Sequence, residues 1–219
     1  MNSIFASLPI EEILTAVFWG LTYLLICISG FLSFRIKKPA MPYSAGVLNY
    51  AWEVNALVVS HGLWMYTLWF GLDLFIVAFG IYFLGSAKKK GFYIISIIIS
   101  TIFLRTLFSF NDGMLITVFL IDLIMAISYL IRFKSLSPFL KKEIAVSRFL
   151  GDIFAGLAGI RYSPYSLIIS AMVCILNGIY VWKCFTEKGY LKNKWGMICE
   201  KENNYFDSVF IISFINTYS

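Results

Sequence analysis

The sequence is poor in the residues on which most catalytic and metal-binding sites of soluble proteins depend. Histidine occurs once, at position 61, and only 14% of the 219 residues are charged. A single histidine argues against His-based metal sites and against Ser-His catalysis. The four cysteines show no Cys-x-x-Cys spacing, so we expect free thiols.

Phosphate-binding patterns are also missing. The chain has no glycine-rich phosphate loop and no Asp-rich cluster that would hold Mg²⁺ on a diphosphate. No lysine lies in the middle of the last apolar run, which argues against a retinal Schiff base. The net charge of +6 comes from short basic clusters between apolar runs, a pattern of membrane topology rather than nucleic-acid binding. We therefore expect no metal, no cofactor and no nucleic-acid partner.

Apolar residues make up most of what is present. Hydrophobic residues account for 60% of the chain and aromatic residues for 18%. The apolar runs are too long and too numerous for one small soluble core, so the chain predicts an all-α integral membrane protein. The runs are continuous rather than alternating, which favours helices over a β-barrel. A multi-pass protein of the bacterial inner membrane or the endoplasmic reticulum, in contact with lipid, is the expected location.

Polar breaks divide the apolar sequence into seven predicted membrane spans of about 20 residues or slightly fewer. The predicted spans are Ile13–Phe34, Tyr43–Ser60, Leu63–Leu84, Phe92–Phe108, Met114–Ile131, Ile144–Ile160 and Tyr165–Val181. Residues 1–185 then form a seven-helix transmembrane domain. Residues 186–219 form a polar cytoplasmic tail, which we expect to be partly interfacial or disordered.

The distribution of basic residues predicts the orientation. All but three of the 18 Lys and Arg residues fall on one side of the seven predicted spans. The exceptions are Arg105, Arg148 and Arg161. Because basic loops remain in the cytoplasm, we expect the N-terminus outside and the C-terminus inside.

Two acids stand inside predicted spans, Glu53 in the second and Asp73 in the third. An acid at the centre of a membrane helix costs roughly 2.5–3.5 kcal/mol on insertion scales, so it is usually functional or paired. No basic residue is near Glu53 in sequence, and desolvation disfavours its charged form. A protonated carboxylic acid in an apolar cavity can act as a general acid. The plainer alternative is a hydrogen bond between helices, with Asn177 or Asp73.

Polar and aromatic residues share a face around Glu53. Asn49 lies one helical turn before it, and Trp52 and Trp69 flank the two acids. A face carrying an amide, an acid and an indole should turn inward, because lipid leaves polar groups without partners. The ring faces of the two tryptophans can stabilise a carbocation by cation–π attraction. Part of the aromatic content also fits an interfacial belt.

Other polar residues in the spans have structural explanations of equal or greater weight. Arg148 and Asp152 are one turn apart and can neutralise each other. Gly151 belongs to a stripe of small residues on which another helix can pack closely. Asp122 has no evident local partner, so both a hydrogen bond between helices and a functional role remain open.

The segment around Glu53 resembles a known family. Residues 49–54 read Asn-Tyr-Ala-Trp-Glu-Val, and residues 69–73 read Trp-Phe-Gly-Leu-Asp. This block is similar to the signature of small seven-span membrane terpene cyclases of the pyripyropene and paspaline type, with bacterial relatives acting on prenylated indoles. The resemblance implies that Glu53 and Asp73 are catalytic and that Asn49, Trp52 and Trp69 contact the substrate.

The last predicted span departs from the family pattern. The family has an acid there in an Asp-x-x-Tyr setting, whereas this chain reads Asn177-Gly-Ile-Tyr180. An amide cannot donate a proton as a carboxylic acid does, although it can orient an acid or a substrate oxygen. By resemblance, Asn177 and Tyr180 are expected to bind substrate.

The resemblance implies a cyclase that needs neither a metal nor loss of diphosphate. Such an enzyme, an intramolecular lyase or isomerase of secondary metabolism, protonates the isoprenoid chain of a lipophilic meroterpenoid or prenylated substrate. A prenyltransferase or an epoxidase of the same pathway would supply that substrate. The alternatives are a small seven-span proton-coupled transporter or receptor-like protein, and a membrane scaffold whose buried acids only join helices.

Overall fold

Helices make up the described part of the molecule. The structure, a computed structural model, describes residues 9–61, 64–110, 113–160 and 164–186. These ranges contain no β-strand, and a short 3₁₀ turn lies at Phe133–Ser135. Seven helices lie within them: α1 (Ile10–Leu32), α2 (Tyr43–Val59), α3 (Trp64–Phe83), α4 (Ala87–Phe108), α5 (Gly113–Ile131), α6 (Lys141–Gly159) and α7 (Pro164–Thr186). The predicted all-α architecture is confirmed. The predicted tail, with Cys199, and Arg161 lie outside the described residues.

The helix ends follow local sequence signals. Pro9 and Pro42 immediately precede α1 and α2, because proline fixes φ but cannot continue a helical hydrogen-bond ladder. Glu11 and Glu12 in the first turn of α1 complement the positive end of the helix dipole. The hydroxyl of Ser86 accepts a hydrogen bond of 3.3 Å from the backbone N–H of Lys89 and so caps α4.

Five of the helices are long and apolar enough to cross a membrane: α1, α4, α5, and most of α3 and α7. Helix α2 has 17 residues and carries Asn49, Glu53 and Asn55 in its interior. Helix α6 begins with Lys141, Lys142 and Glu143 and contains Arg148 and Asp152. The polar side chains in the middle of these helices, Asn49, Glu53 and Asn55 of α2 and Arg148 and Asp152 of α6, are buried and thus face other helices rather than lipid.

The outer face of α4 is the clearest sign of a lipid environment. Ile98, Ile99, Ile102 and Phe103 are each more than half exposed. In water, a contiguous apolar face of this kind would mark an interface or drive aggregation. Against lipid chains the same face needs no protein cover, so the exposed surface of α4 supports a membrane location.

Close contacts through glycine bring α1 against its neighbours. A Cβ atom built on Gly151 of α6 would lie 2.9 Å from Cδ1 of Trp19 in α1. A Cβ atom on Gly30 of α1 would lie 2.8 Å from Cδ2 of Phe79 in α3. Neither position has room for a side chain, so glycine allows α1 to approach both helices. The predicted role of Gly151 in close helix packing is confirmed.

A group of hydrogen-bonded serines joins three segments of the chain at one end of the bundle. Ser29 donates a hydrogen bond of 2.7 Å to the carbonyl of Phe139, and Ser33 bonds to the hydroxyl of Ser137. The backbone N–H of Ser137 donates to the carbonyl of Pro39 at 2.8 Å. These bonds join the end of α1 to the connection between α5 and α6. We call Ser29, Ser33 and Ser137 the serine cluster.

Candidate functional site

A cavity of about 590 Å³ lies among α1, α2, α3, α5 and α6. Its volume is within the roughly 300–1,000 Å³ typical of small-molecule sites. The lining is mainly aromatic and aliphatic, and it includes three acids, Glu12, Glu53 and Asp122. The aromatic residues of the lining are Trp19, Tyr23, Trp52, Tyr66, Trp69 and Phe119.

The cavity occupies one half of the bundle. Its lining comes from the first two thirds of α1, the middle of α2, the start of α3, the first half of α5 and the end of α6. The serine cluster lies at the other end of α1. The helices that run antiparallel to α1 contribute residues at the same depth in the bundle as the first part of α1. The cavity therefore lies toward the end of the bundle where α1 begins.

Tyr23 of α1 connects Glu53 to the rest of a buried polar network. Its hydroxyl lies 3.0 Å from Oδ1 of Asn49 and 3.4 Å from Oε1 of Glu53. The phenol carries one proton, so it can donate to only one of these oxygens at a time. When it donates to Asn49, its oxygen is free to accept a hydrogen bond from a protonated Glu53.

Asn49 fixes the relation between the two predicted catalytic acids. Its Nδ2 donates a hydrogen bond of 2.6 Å to Oδ2 of Asp73. All three residues, Asn49, Glu53 and Asp73, are buried. Asp73 does not line the cavity, and within the described part of the chain its hydrogen-bond connection to Glu53 runs through Asn49 and Tyr23. The structure thus places Glu53 at the cavity and Asp73 behind it.

One oxygen of Glu53 has no protein partner. Oε2 of Glu53 and Nε1 of Trp52 are buried without a hydrogen bond to any described residue. Buried polar atoms are nearly always paired with protein, water or ligand. Both residues line the cavity, so the two unpartnered atoms belong to side chains of its wall.

Aromatic rings hold each other in place around this acid. The ring of Tyr66 lies 6.1 Å from that of Trp52 and 5.8 Å from that of Trp69, measured between centroids. Trp69 also meets Tyr23 at 6.3 Å, edge to face. Ring pairs in this geometry stabilise each other and fix the direction of the ring faces. The result is a stiff aromatic wall with Glu53 at its edge.

Asn177 and Tyr180 of α7, which the resemblance predicts to bind substrate, do not line this cavity. Asn177 donates a hydrogen bond to Oδ2 of Asp152. Tyr180 is buried and meets the ring of Tyr129 at 5.3 Å. The reason is that α7 supplies its polar residues to α5 and α6, so the amide of Asn177 serves Asp152 and not Glu53.

Arg148 has neighbours besides Asp152, whose negative charge it favours as the sequence predicted. Its guanidinium lies 4.5 Å from the ring centroid of Tyr129, and Nη2 donates to the backbone carbonyl of Asp122 at 3.4 Å. Asp152 takes its hydrogen bond from Asn177 instead of Arg148. A second polar cluster therefore consists of Arg148, Asp152 and Asn177. None of these three residues lines the cavity, and Asp122, which does, lies between them and the cavity.

Five lining residues that sequence reasoning left out come from α1. They are Glu12, Thr15, Ala16, Trp19 and Tyr23, and the last two are spaced by one helical turn. Their i, i+4 spacing was visible in the sequence, but nothing there distinguishes an inward stripe from a lipid-facing one. Asp122 was noted without a partner, and the structure places it at the cavity.

The remaining site predictions concern metal ions and thiols. Among the described residues, no group of three His, Cys, Asp or Glu side chains is arranged to hold a metal ion. Cys27, Cys174 and Cys184 form no disulfide, as the sequence predicted for them.

No model of a known protein family, no curated protein and no solved structure matches this chain.

Proposed function

We propose that this protein is a membrane-bound terpene cyclase that starts cyclisation by protonating the isoprenoid chain of a lipophilic substrate. The observation that carries the proposal is Glu53: a buried acid with one unpartnered oxygen, at the edge of an aromatic cavity. The proposal includes seven membrane spans, with the N-terminus outside and the C-terminus in the cytoplasm. The similarity of residues 49–54 and 69–73 to the cyclase signature also supports it.

Glu53 is suited to give a proton to an apolar substrate. No cation neutralises its charge within the polar network, which consists of Tyr23, Asn49 and Asp73. A carboxylic acid in such surroundings is held in its neutral, proton-bearing form. Water competes weakly for the proton in an apolar cavity, so the acid can transfer it to an alkene or an epoxide.

The aromatic wall supplies the second requirement of the reaction. Protonation of the terminal group leaves a positive charge on carbon, and each ring closure moves that charge along the chain. The faces of Trp52, Tyr66 and Trp69 attract a cation without reacting with it. Their mutual contacts keep them fixed while the charge moves. A folded isoprenoid chain fits a cavity of about 590 Å³.

Asn49 and Asp73 are positioning residues in this proposal. Asp73 accepts the amide hydrogen of Asn49, which fixes the amide so that its oxygen faces Tyr23. Tyr23, held in this way, orients the acid group of Glu53. The chain of hydrogen bonds also offers Glu53 a route to regain a proton after turnover.

The proposal is tested with Glu53→Gln in membranes or detergent. The amide keeps the shape and the acceptor for Tyr23 but cannot donate a proton as an acid. We expect turnover of a farnesylated indole or phenol, or of its terminal epoxide, to fall at least about 100-fold, the usual contribution of a general acid. Glu143→Gln, an exposed acid in the first turn of α6, is the matched control and should behave as wild type.

Heavy water distinguishes the two kinds of proton acceptor. If Glu53 protonates an alkene, the product formed in D₂O carries one deuterium bound to carbon. If it opens an epoxide, the deuterium is on a hydroxyl group and is lost on washing with H₂O. Wild-type rates in Glu53→Gln would contradict the proposal. Proton-coupled uptake by proteoliposomes, with no cyclised product, would favour a transporter.

A further inference from the structure

We propose that Asp122 is the base that ends the cyclisation by removing a proton from the final cation. This inference rests on the proposed function and adds a second catalytic residue to it. Asp122 lies on α5, whereas Glu53 lies on α2, and both side chains line the same cavity. A substrate folded in this space can therefore contact acids carried by different helices. The third lining acid, Glu12, is in the first turn of α1 and is less buried than Asp122.

The two acids have unlike surroundings. Among the described residues, Glu53 has the phenol of Tyr23 as its side-chain partner, and aromatic rings surround it. Asp122 has a guanidinium close by, since Nη2 of Arg148 donates to its backbone carbonyl at 3.4 Å. The positive charge of Arg148 favours a negative charge on Asp122, whereas burial and the nearby carboxylate of Asp152 oppose it. Unlike environments for two carboxyl groups in one site are the usual basis of separate acid and base roles.

No described residue donates a hydrogen bond to the side-chain carboxylate of Asp122. Its residue is only 6% exposed, and that exposure is to the cavity it lines. Asp152, the other acid near Arg148, is bonded to Asn177 and does not line the cavity. Asp122 is therefore the acid of this cluster that can touch a substrate.

The reaction balances without a co-reactant. Glu53 gives its proton to the terminal alkene or epoxide, and the electron pairs of successive alkenes form the new carbon–carbon bonds. In the last step, a C–H bond beside the final cation breaks. Its electron pair forms the new alkene, and its proton passes to the carboxylate of Asp122. Substrate and product are isomers, and the proton returns from Asp122 to Glu53 through water once the product has left.

The experiment compares product profiles of Asp122→Asn and the wild type on a farnesylated indole and its terminal epoxide. Without the base, the cation still forms, so the substrate is consumed. We expect the share of the wild-type alkene to fall about tenfold or more, a modest fraction of what a positioned base contributes. Alcohols from capture of water and isomeric alkenes should replace it. Asp122→Glu should restore the wild-type alkene in part.

Asp152→Asn is the matched control, since it removes a buried carboxylate near Arg148 without altering the cavity lining. It should leave the product profile unchanged. An unchanged profile in folded Asp122→Asn would overturn the proposal, and so would complete loss of substrate consumption, which would assign Asp122 to the initiating step. If the wild type converts neither probe while Glu53→Gln behaves identically, the proposed cyclase function itself fails.

Discussion

Tyr23 has more influence on the site than its position in the chain suggests. It belongs to α1, yet its hydroxyl is within hydrogen-bond distance of Asn49 and Glu53, both on α2. Through Asn49 it is also connected to Asp73 on α3. One phenol thus links the polar groups of three helices by hydrogen bonds. The acid group of Glu53 has no other protein partner among the described residues.

Tyr23→Phe removes this connection and keeps the ring. Oδ1 of Asn49 and Oε1 of Glu53 lose a partner in a buried site, so we expect the free energy of unfolding to fall by about 1–3 kcal/mol. Turnover should fall while KM changes little, because the ring still lines the cavity and only the orientation of the acid is lost. Thermal unfolding in detergent and steady-state kinetics measure the two effects.

Tyr93→Phe is the control for this prediction. Tyr93 is a buried tyrosine of α4, packed against Tyr43 at 5.8 Å and outside the cavity lining. Loss of its hydroxyl should leave turnover unchanged. Equal loss of turnover in both variants would mean that Tyr23 acts only through stability.

At the scale of helices, the contact of α1 with α6 positions Trp19, which forms part of the cavity wall. Trp19 both touches Gly151 and lines the cavity. Because Gly151 has no side chain, the indole of Trp19 packs directly against the backbone of α6, on the side away from the cavity. Thr22 and Ser147, one turn away on either helix, are joined by a hydrogen bond of 2.9 Å and hold the two helices in register.

Gly151→Ala should push Trp19 toward the cavity. The new methyl group would lie 2.9 Å from Cδ1 of Trp19, closer than real Cβ contacts. Overpacking of this kind costs about 1–3 kcal/mol of stability. We expect a lower unfolding temperature and a higher KM for the prenylated probes, since the cavity narrows.

Gly71→Ala is the matched control, because a Cβ atom on Gly71 of α3 meets no atom within 4 Å. It should be neutral, or stabilise by up to about 1 kcal/mol through helix propensity. If Gly151→Ala also proved neutral, α1 and α6 would have to be less closely packed than the structure indicates.

The sequence predicted the positions of all seven helices because polar and Gly/Pro breaks interrupt long apolar runs. It misjudged some ends for a physical reason. Helix α4 begins at Ala87 rather than Phe92, since Ser86 caps it and lysines are good helix formers. The apolar run marks only the part of this helix that lipid would cover.

Within the site, the sequence predicted what lies on one helix and missed what lies between helices. Asn49, Trp52 and Glu53 share a stripe of α2, so their grouping follows from helical periodicity. The contact of Tyr23 with that stripe depends on which faces of α1 and α2 meet. The same limitation explains Asn177, whose partner is Asp152.

At the scale of the whole molecule, the proposed orientation predicts which loops are accessible from which side. His61 follows α2 and Lys89 lies in the first turn of α4, and both are exposed. In a background without other reactive thiols, His61→Cys should react with a membrane-impermeant maleimide from outside intact cells. Lys89→Cys should react only in inverted vesicles. The opposite pattern would reverse the proposed orientation.

The placement of the cavity in one half of the bundle determines which leaflet of the membrane it lies in. The serine cluster closes the half where α1 ends, while the cavity is set toward the half where α1 begins. In the proposed orientation this is the outer leaflet. Under the proposed function, a substrate made in the cytoplasmic leaflet would have to cross the bilayer before cyclisation, and its polar end would lie near the outer surface during turnover. An inhibitor with a membrane-impermeant head group would then act from outside the cell alone.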